Sequence, residues 1–312
     1  MISASARKAT FWLCCTLFML LFASACGGSS SVPGGDTNGR AASGSSKVLN
    51  VVAAENFYGD IVSQLGGSHV KVLSILSDPN ADPHEYESNV QDARAVSSAD
   101  LVIKNGDSYD DWIDKLIGGS PNANRIVLSG SDIADHKLVD NPHVWYSIDN
   151  VQTIAQSITN SLKKLDSTDS ATFDSNLATF KQSLTPITQK MSDIKAKYSG
   201  TAVGLTETIY LYQTTPMGLN VLTPFEFEKA IAEGNDPPAD TVATTNNQVK
   251  QKQIKVLIYN EQTVTPITTN LQNAAKAQNI PIVPVTETMP IGKTYQSWMT
   301  DQLSALQTAL GG

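Results

Sequence analysis

The stretch SATFDSNLATFKQSLTPITQKMSDIKAKY, residues 170–198, decides how the chain is organised. Phe173, Leu177, Phe180, Leu184, Ile187, Met191 and Ile194 recur at steps of three or four, which lines them along one face of an α-helix of about eight turns. Pro186 interrupts it and, lacking an amide hydrogen, should kink the helix or mark a join between two helices.

Outward from this helix the two flanks read alike. Short β-branched runs precede it at 48–53, 70–76, 101–104 and 125–128, and four more follow at 201–205, 219–222, 254–259 and 280–285. Segments of helical spacing lie between and after them, at 59–65, 88–97, 110–117, 151–164, 266–278 and 294–310. Strand followed by helix, repeated, predicts an α/β fold of mostly parallel sheets. With four strands on either side, the expected architecture is two similar Rossmann-like lobes, 47–168 and 200–312, joined by the long helix of 169–199, with a cleft between them.

The start of the chain carries Arg7 and Lys8, an apolar run over 11–25 and then Cys26. A charged segment, an apolar segment too short for a bilayer span and small residues before a cysteine make 1–25 a signal peptide. The stretch resembles a bacterial lipobox, with Ala23 where Leu is usual; the resemblance implies that Cys26 is lipidated and anchors the protein to the extracytoplasmic face of the membrane. Of the three cysteines, Cys14 and Cys15 leave with the leader, which rules out a disulfide framework or a thiolate metal site. Residues 26–46 are rich in Gly and Ser with almost no large apolar side chain, as expected of a flexible tether. A formal net charge of −8 argues against nucleic acid as a partner and suits a protein that attracts cations.

In open α/β sheets ligands bind at the carboxyl ends of the strands, so the polar residues that follow each strand are the candidates. The second run is followed by Asp78, Asp82, His84 and Glu85, and the fourth, after a longer loop, by His143. The fifth is followed by Glu207 and the last by Glu287. Two histidines from one lobe and two carboxylates from the other could converge on the cleft. That donor set suits manganese, iron or zinc, and two carboxylates balance a divalent ion. Glu261 also follows a strand and could rival Glu287 as a ligand, although a supporting role is the expectation favoured for it; Asn56, Tyr58 and Trp145 are expected to line the site. His69 precedes a strand, at the end away from the cleft, and reads as a surface histidine; His136 reads as a loop histidine.

Four segments, ENFYGDIVSQLGG at 55–67, DPHEYES at 82–88, NPHVW at 141–145 and TETIYLY at 206–212, resemble the zinc and manganese solute-binding lipoproteins of bacterial ABC importers, the metal-binding cluster A-I family. The resemblance runs from about Val48 to the C-terminus. It implies that His84 and His143 bind the metal, that Glu207 is the third ligand, a position held by His in many zinc members and Glu in manganese members, and that Glu287 replaces the usual acidic fourth ligand, commonly Asp. It further implies a monomer that captures Mn²⁺ or Zn²⁺ and delivers it to a membrane permease. The long His-rich loop of many zinc members is absent. A metal-dependent surface adhesin is an alternative from another class, and an extracytoplasmic metallohydrolase a third. The chain has no H-E-x-x-H, G-x-S-x-G, G-x-G-x-x-G or P-loop signature, so the expectation is that it is not an enzyme.

Overall fold

The structure, a computed structural model, describes residues 47–78 and 86–312. The segments expected as leader and tether, with Cys26, and also Asp82, His84 and Glu85, fall outside the described residues.

The first half of the chain forms β1 (Leu49–Glu55), α1 (Asn56–Gly66), β2 (Val70–Leu76), α2 (Val90–Ser98), β3 (Leu101–Lys104), α3 (Asp111–Gly119), β4 (Ile126–Ser129), α4 (Gly130–Ile133) and α5 (Ile148–Leu165). Its four strands pair in parallel in the order β2-β1-β3-β4. The linking stretch is two helices, α6 (Ser170–Ser183) and α7 (Thr185–Tyr198), joined at Leu184. Pro186 sits in the first turn of α7, where its missing N–H costs no helical hydrogen bond. The second half forms β5 (Ala202–Leu205), α8 (Leu211–Met217), β6 (Asn220–Val221), α9 (Phe225–Ala232), α10 (Ala239–Lys250), β7 (Val256–Asn260), α11 (Pro266–Ala277), β8 (Ile282–Val285) and α12 (Tyr295–Leu310). Its strands, again parallel, follow the order β6-β5-β7-β8, the same topology as the first sheet.

The alternation of side chains along a strand explains how each sheet is covered. In β1, Leu49, Val51 and Ala53 face one way and Val52 and Ala54 the other. The second group joins Val96, Val102, Trp112 and Ile113 in a small core beneath α2 and α3. In the second half, Leu257 meets Phe227, Ile231, Val249 and Leu271 from α9, α10 and α11. The remaining strand faces look onto one large core. It runs without interruption from Leu49, Phe57 and Ile61 through Phe173, Leu184 and Ile187 to Val203, Ile258, Trp298 and Leu303. The two lobes therefore share an apolar layer supplied mainly by α1, α5, α6, α7 and α12.

Hydrogen bonds stitch the same boundary. Asn56 donates from Nδ2 to the Met289 carbonyl (2.7 Å) and accepts from the Met289 N–H (2.9 Å). The Tyr146 hydroxyl donates to the Thr286 carbonyl at 2.6 Å, and that of Tyr295 to the Trp145 carbonyl at 2.7 Å.

Phe57 is fully buried, stacks on Trp145 with ring centroids 4.5 Å apart, and lies 6.2 Å from Trp298 of the other lobe. Phe57→Ala is expected to cost about 3–5 kcal/mol in urea unfolding, with a single transition for both lobes. Two separated transitions would show that the layer does not couple them.

Candidate metal centre

Both sheets change winding direction beside their first strand, and the polar residues collect at the carboxyl ends there. On leaving β5 the backbone runs through Thr206 to Glu207, which is fully extended (φ −162°, ψ −178°) and turns its side chain inward. On leaving β8 it reaches Glu287, held by Gln262, whose Oε1 accepts from the N–H groups of Glu287 (2.5 Å) and Thr288 (3.0 Å). His143 follows Pro142 in the long loop after α4. Each of the three residues is at most 1 % exposed, and ligand atoms from all three lie within 4.8 Å of one another.

The hydrogen bonds around His143 fix its tautomer. Asn141 donates from Nδ2 to the Thr208 carbonyl (2.8 Å), which leaves Oδ1 to accept from the His143 main-chain N–H (3.1 Å) and to face Nδ1 at 2.8 Å. An oxygen at that position accepts a proton held on Nδ1, so the lone pair is on Nε2. Nε2 lies 4.0 Å from Oε2 of both Glu207 and Glu287. Tetrahedral ligand atoms about 2.1 Å from one ion lie about 3.4 Å apart, so these side chains would close in by about half an ångström around a single ion.

The two carboxylates are held together by a shared donor. Asn260, the last residue of β7, donates from Nδ2 to Oε1 of Glu207 (3.2 Å) and of Glu287 (2.7 Å). The Tyr109 hydroxyl donates to Glu287 Oε2 at 3.0 Å. Burial, then the charge of Glu287, push the Tyr109 hydroxyl well above its ordinary range and keep it a donor. Gly106, Asp107 and Ser108, which deliver Tyr109, are all left-handed (φ 80°, 56° and 61°), a strained path for two non-glycine residues. Glu207 Oε2, fully buried, has no hydrogen-bond partner among the described residues. Burial pushes its carboxyl well above the usual range and the charge of Glu287 adds to this; N–H groups of Ile209 and Thr208 and the Asn260 amide pull against them. A buried oxygen facing an imidazole lone pair is what a bound cation would stabilise.

The other expected residues are placed as follows. Trp145 packs against His143 at 5.2 Å between centroids, edge to face, and Tyr109 lies 4.8 Å from Trp145. Tyr58 donates to Asn105 Oδ1 (2.9 Å), whose Nδ2 in turn donates to the Pro142 carbonyl (2.9 Å) below His143. Its hydroxyl occupies the space that a Cβ on Gly130 would need, 2.0 Å away. Asn56 stitches the lobes rather than touching the carboxylates. Glu261 is exposed and lines a depression with Trp298 and Asp301; its neighbour Asn260 is the one that enters the site. His136 is exposed.

Strand-end reasoning missed Asn141, Asn260, Tyr109 and three buried acids. Glu55 ends β1 and is fully buried, and burial followed by the charge of Asp110 pushes its carboxyl well up. Asp110 accepts from the N–H groups of Asn105 (2.6 Å) and Gly106 (2.8 Å). Glu228 of α9 is pushed up by burial and then by the charge of Glu207. Glu55, at a strand end, carried the same signal as Glu207; the others show nothing until burial is known.

Residues 51–309 match the family described as zinc-uptake complex component A, periplasmic. The metal ABC transporter substrate-binding lipoprotein SsaB of Streptococcus sanguinis is 31% identical over 160 residues, 46% of this chain and 50% of that protein. The manganese ABC transporter substrate-binding lipoprotein ScaA of Streptococcus gordonii is 30% identical over 149 residues, 44% and 48% respectively. The chain thus spans about half the length of the curated relatives it matches. Among solved structures, the periplasmic zinc-binding protein TroA of Treponema pallidum superposes with a TM-score of 0.73 at 16% identity, over 85% of this chain and 100% of that one. The Mn-bound periplasmic metal-binding protein of Candidatus Liberibacter asiaticus gives 0.69 at 17%, over 85% and 99%. These structures share the two-lobed fold.

A raised carboxyl stabilises the folded chain fully only below its unfolded pKa, and that contribution is lost as pH rises toward the folded value. Metal-free Glu207→Gln should therefore melt above wild type near about pH 8, with the difference shrinking toward about pH 5. Thermal melts in chelator check this; a difference that does not vary with pH would contradict it.

Proposed function

This chain belongs to the family of zinc-uptake complex component A periplasmic proteins, and from that premise we propose that it captures one divalent transition-metal ion, Mn²⁺ or Zn²⁺, outside the cytoplasm and delivers it to the permease of an ABC importer. The observation that carries the proposal is the buried trio of His143, Glu207 and Glu287, drawn from both lobes, with an oxygen on Glu207 that has no hydrogen-bond partner among the described residues. In this reading His84 supplies a fourth ligand. Two carboxylates cancel the charge of the ion while the imidazoles bind neutral, so the loaded site is close to electrically balanced. A site filled by four protein groups leaves no open position for a reacting substrate, which suits capture and release rather than catalysis. The relatives named above as metal ABC transporter substrate-binding lipoproteins support the same role.

The division of labour follows from the contacts. Asn141 holds His143 with Nε2 facing the ion, and Asn260 and Tyr109 hold the carboxylates against their mutual repulsion. Because the carboxyl of Glu207 is raised, binding displaces a proton, and protons compete with the ion as pH falls. Residues 47–168 and 200–312 act as the jaws, and 169–199 joins them. The core shared between them confines opening to a small movement that lets the ion reach a buried site. Lipidated Cys26 and the tether of 26–46 keep the protein at the membrane. No helix among the described residues is long and apolar enough to cross it.

Calorimetric titration with Mn²⁺ and Zn²⁺ tests the reading. One ion per chain at this site is expected, with proton release that varies with buffer ionisation enthalpy. His84→Ala, His143→Ala, Glu207→Gln and Glu287→Gln should each weaken binding at least about a hundredfold, and Asn141→Ala by about 10- to 100-fold. Affinities unchanged in the Glu207 and His143 variants would overturn the assignment. Saturating metal at about a thousand times Kd should stabilise the fold by about 4 kcal/mol, a gain that chelation removes.

A further inference from the structure

A second cluster of metal-ligating side chains lies at the opposite end of the first sheet. His69 closes the turn that precedes β2, and it meets the corner between α5 and α6, where Asp166 ends α5 and Asp169 precedes α6. A ring nitrogen of His69 and one carboxylate oxygen each from Asp166 and Asp169 lie within 4.8 Å of one another. The expectation of an ordinary surface histidine does not describe this placement: the His69 side chain is 17% exposed and that of Asp169 20%. His69 also sits edge-on to Phe173 of α6, with centroids 5.6 Å apart.

The independent observation is the state of the facing atoms. Asp166 is only 9% exposed; its Oδ1 accepts from the Thr168 N–H at 3.1 Å, whereas its Oδ2 is shielded from solvent and has no hydrogen-bond partner among the described residues. Asp169 Oδ2 and His69 Nδ1 are shielded in the same way. They approach to 2.9 Å without the alignment of a hydrogen bond. Among the described residues no lysine or arginine pairs with either aspartate, and nearby Lys163 is committed to Asp174 at 2.7 Å. A protonated His69 would pair with Asp169 and leave the second carboxylate uncompensated among the described residues, whereas a divalent ion would balance both carboxylates with the imidazole neutral.

We propose that His69, Asp166 and Asp169 bind a second divalent transition-metal ion, distinct from the cargo and resident in the fold. One nitrogen and two oxygens with positions left for water suit zinc or manganese, zinc the more tightly. Such an ion ties the start of β2 to the α5–α6 corner and so fastens the linking helices to the first lobe. Lying at the amino end of β2, away from the carboxyl-end cleft, it is placed for structure rather than transfer.

The test uses Zn²⁺ as the probe and the full chain carrying Glu207→Gln and Glu287→Gln, which strips the cleft of its carboxylates. Calorimetry should find one Zn²⁺ retained by this variant, with a rise in melting temperature. Adding Asp169→Asn, which keeps the shape of the side chain, should weaken that binding at least about tenfold, and adding His69→Ala should remove it. If His69→Ala fails to fold, as circular dichroism would report, the Asp169→Asn result decides. The proposal is overturned if the cleft-stripped variant binds no Zn²⁺, or if Asp169→Asn leaves its isotherm unchanged. In an otherwise wild-type chain Asp169→Asn should leave Mn²⁺ binding in the cleft intact, so this proposal and the cargo assignment fail separately.

Discussion

The structure depends on the apolar layer shared by the two sheets. Neither sheet has a second face of its own to bury fully: one side of each is covered by its outer helices, and the other rests on helices that both lobes use. Phe57 of the first lobe, Ile187 of the linking helices and Val203 and Leu303 of the second lobe all belong to this one layer. Burial of apolar surface is non-directional and scales with area, so this layer supplies cohesion without specifying the exact approach of the lobes. The approach is specified by the polar stitches, such as the two-way bond between Asn56 and Met289. The candidate metal centre inherits its precision from both, since His143, Glu207 and Glu287 come from loops at the rim of this layer.

Electrostatics works against the packing at this point. Glu55, Asp110, Glu207 and Glu228 all sit where burial raises the cost of a negative charge, on or beside the carboxyl ends of the central strands. Donors are arranged to limit that cost without removing it: Asn260 serves two carboxylates at once, and Tyr109 is held over Glu287 by a strained left-handed loop. Accumulating acids in a buried site is unfavourable for an empty protein and favourable for one that must attract a cation.

Much of this was legible in the sequence. The fold followed from the alternation of β-branched runs with helical spacing, because central parallel strands are buried on both faces and read as apolar runs. Pro186 announced the break between α6 and α7, which lies at Leu184. In contrast, α9 and α10 did not stand out: FEFEKAIA alternates as a strand would, and the Thr- and Asn-rich ADTVATTNNQVK carries few apolar residues and low helix propensity, so tertiary packing decides it. In the site, Glu207 and Glu287 could be read from their positions after strands, yet the same rule favoured Glu261 over Asn260. A shift of one residue at a strand end exchanges inside for outside, and spacing alone does not fix that phase. Tyr109, Asp110 and Glu228 depend on long-range burial that no local pattern encodes.

The backbone at Glu207 leaves the choice of side chain open. Its φ of −162° is ordinary extended geometry, open to any side chain, and the residue sits beyond the last paired position of β5. An exchange of side chain there asks nothing of the backbone of the turn or of the pairing of β5. The donor offered at that position is therefore set by the side chain alone, so a change of donor type alters the chemistry presented to a cation while the sheet pairing stays as it is.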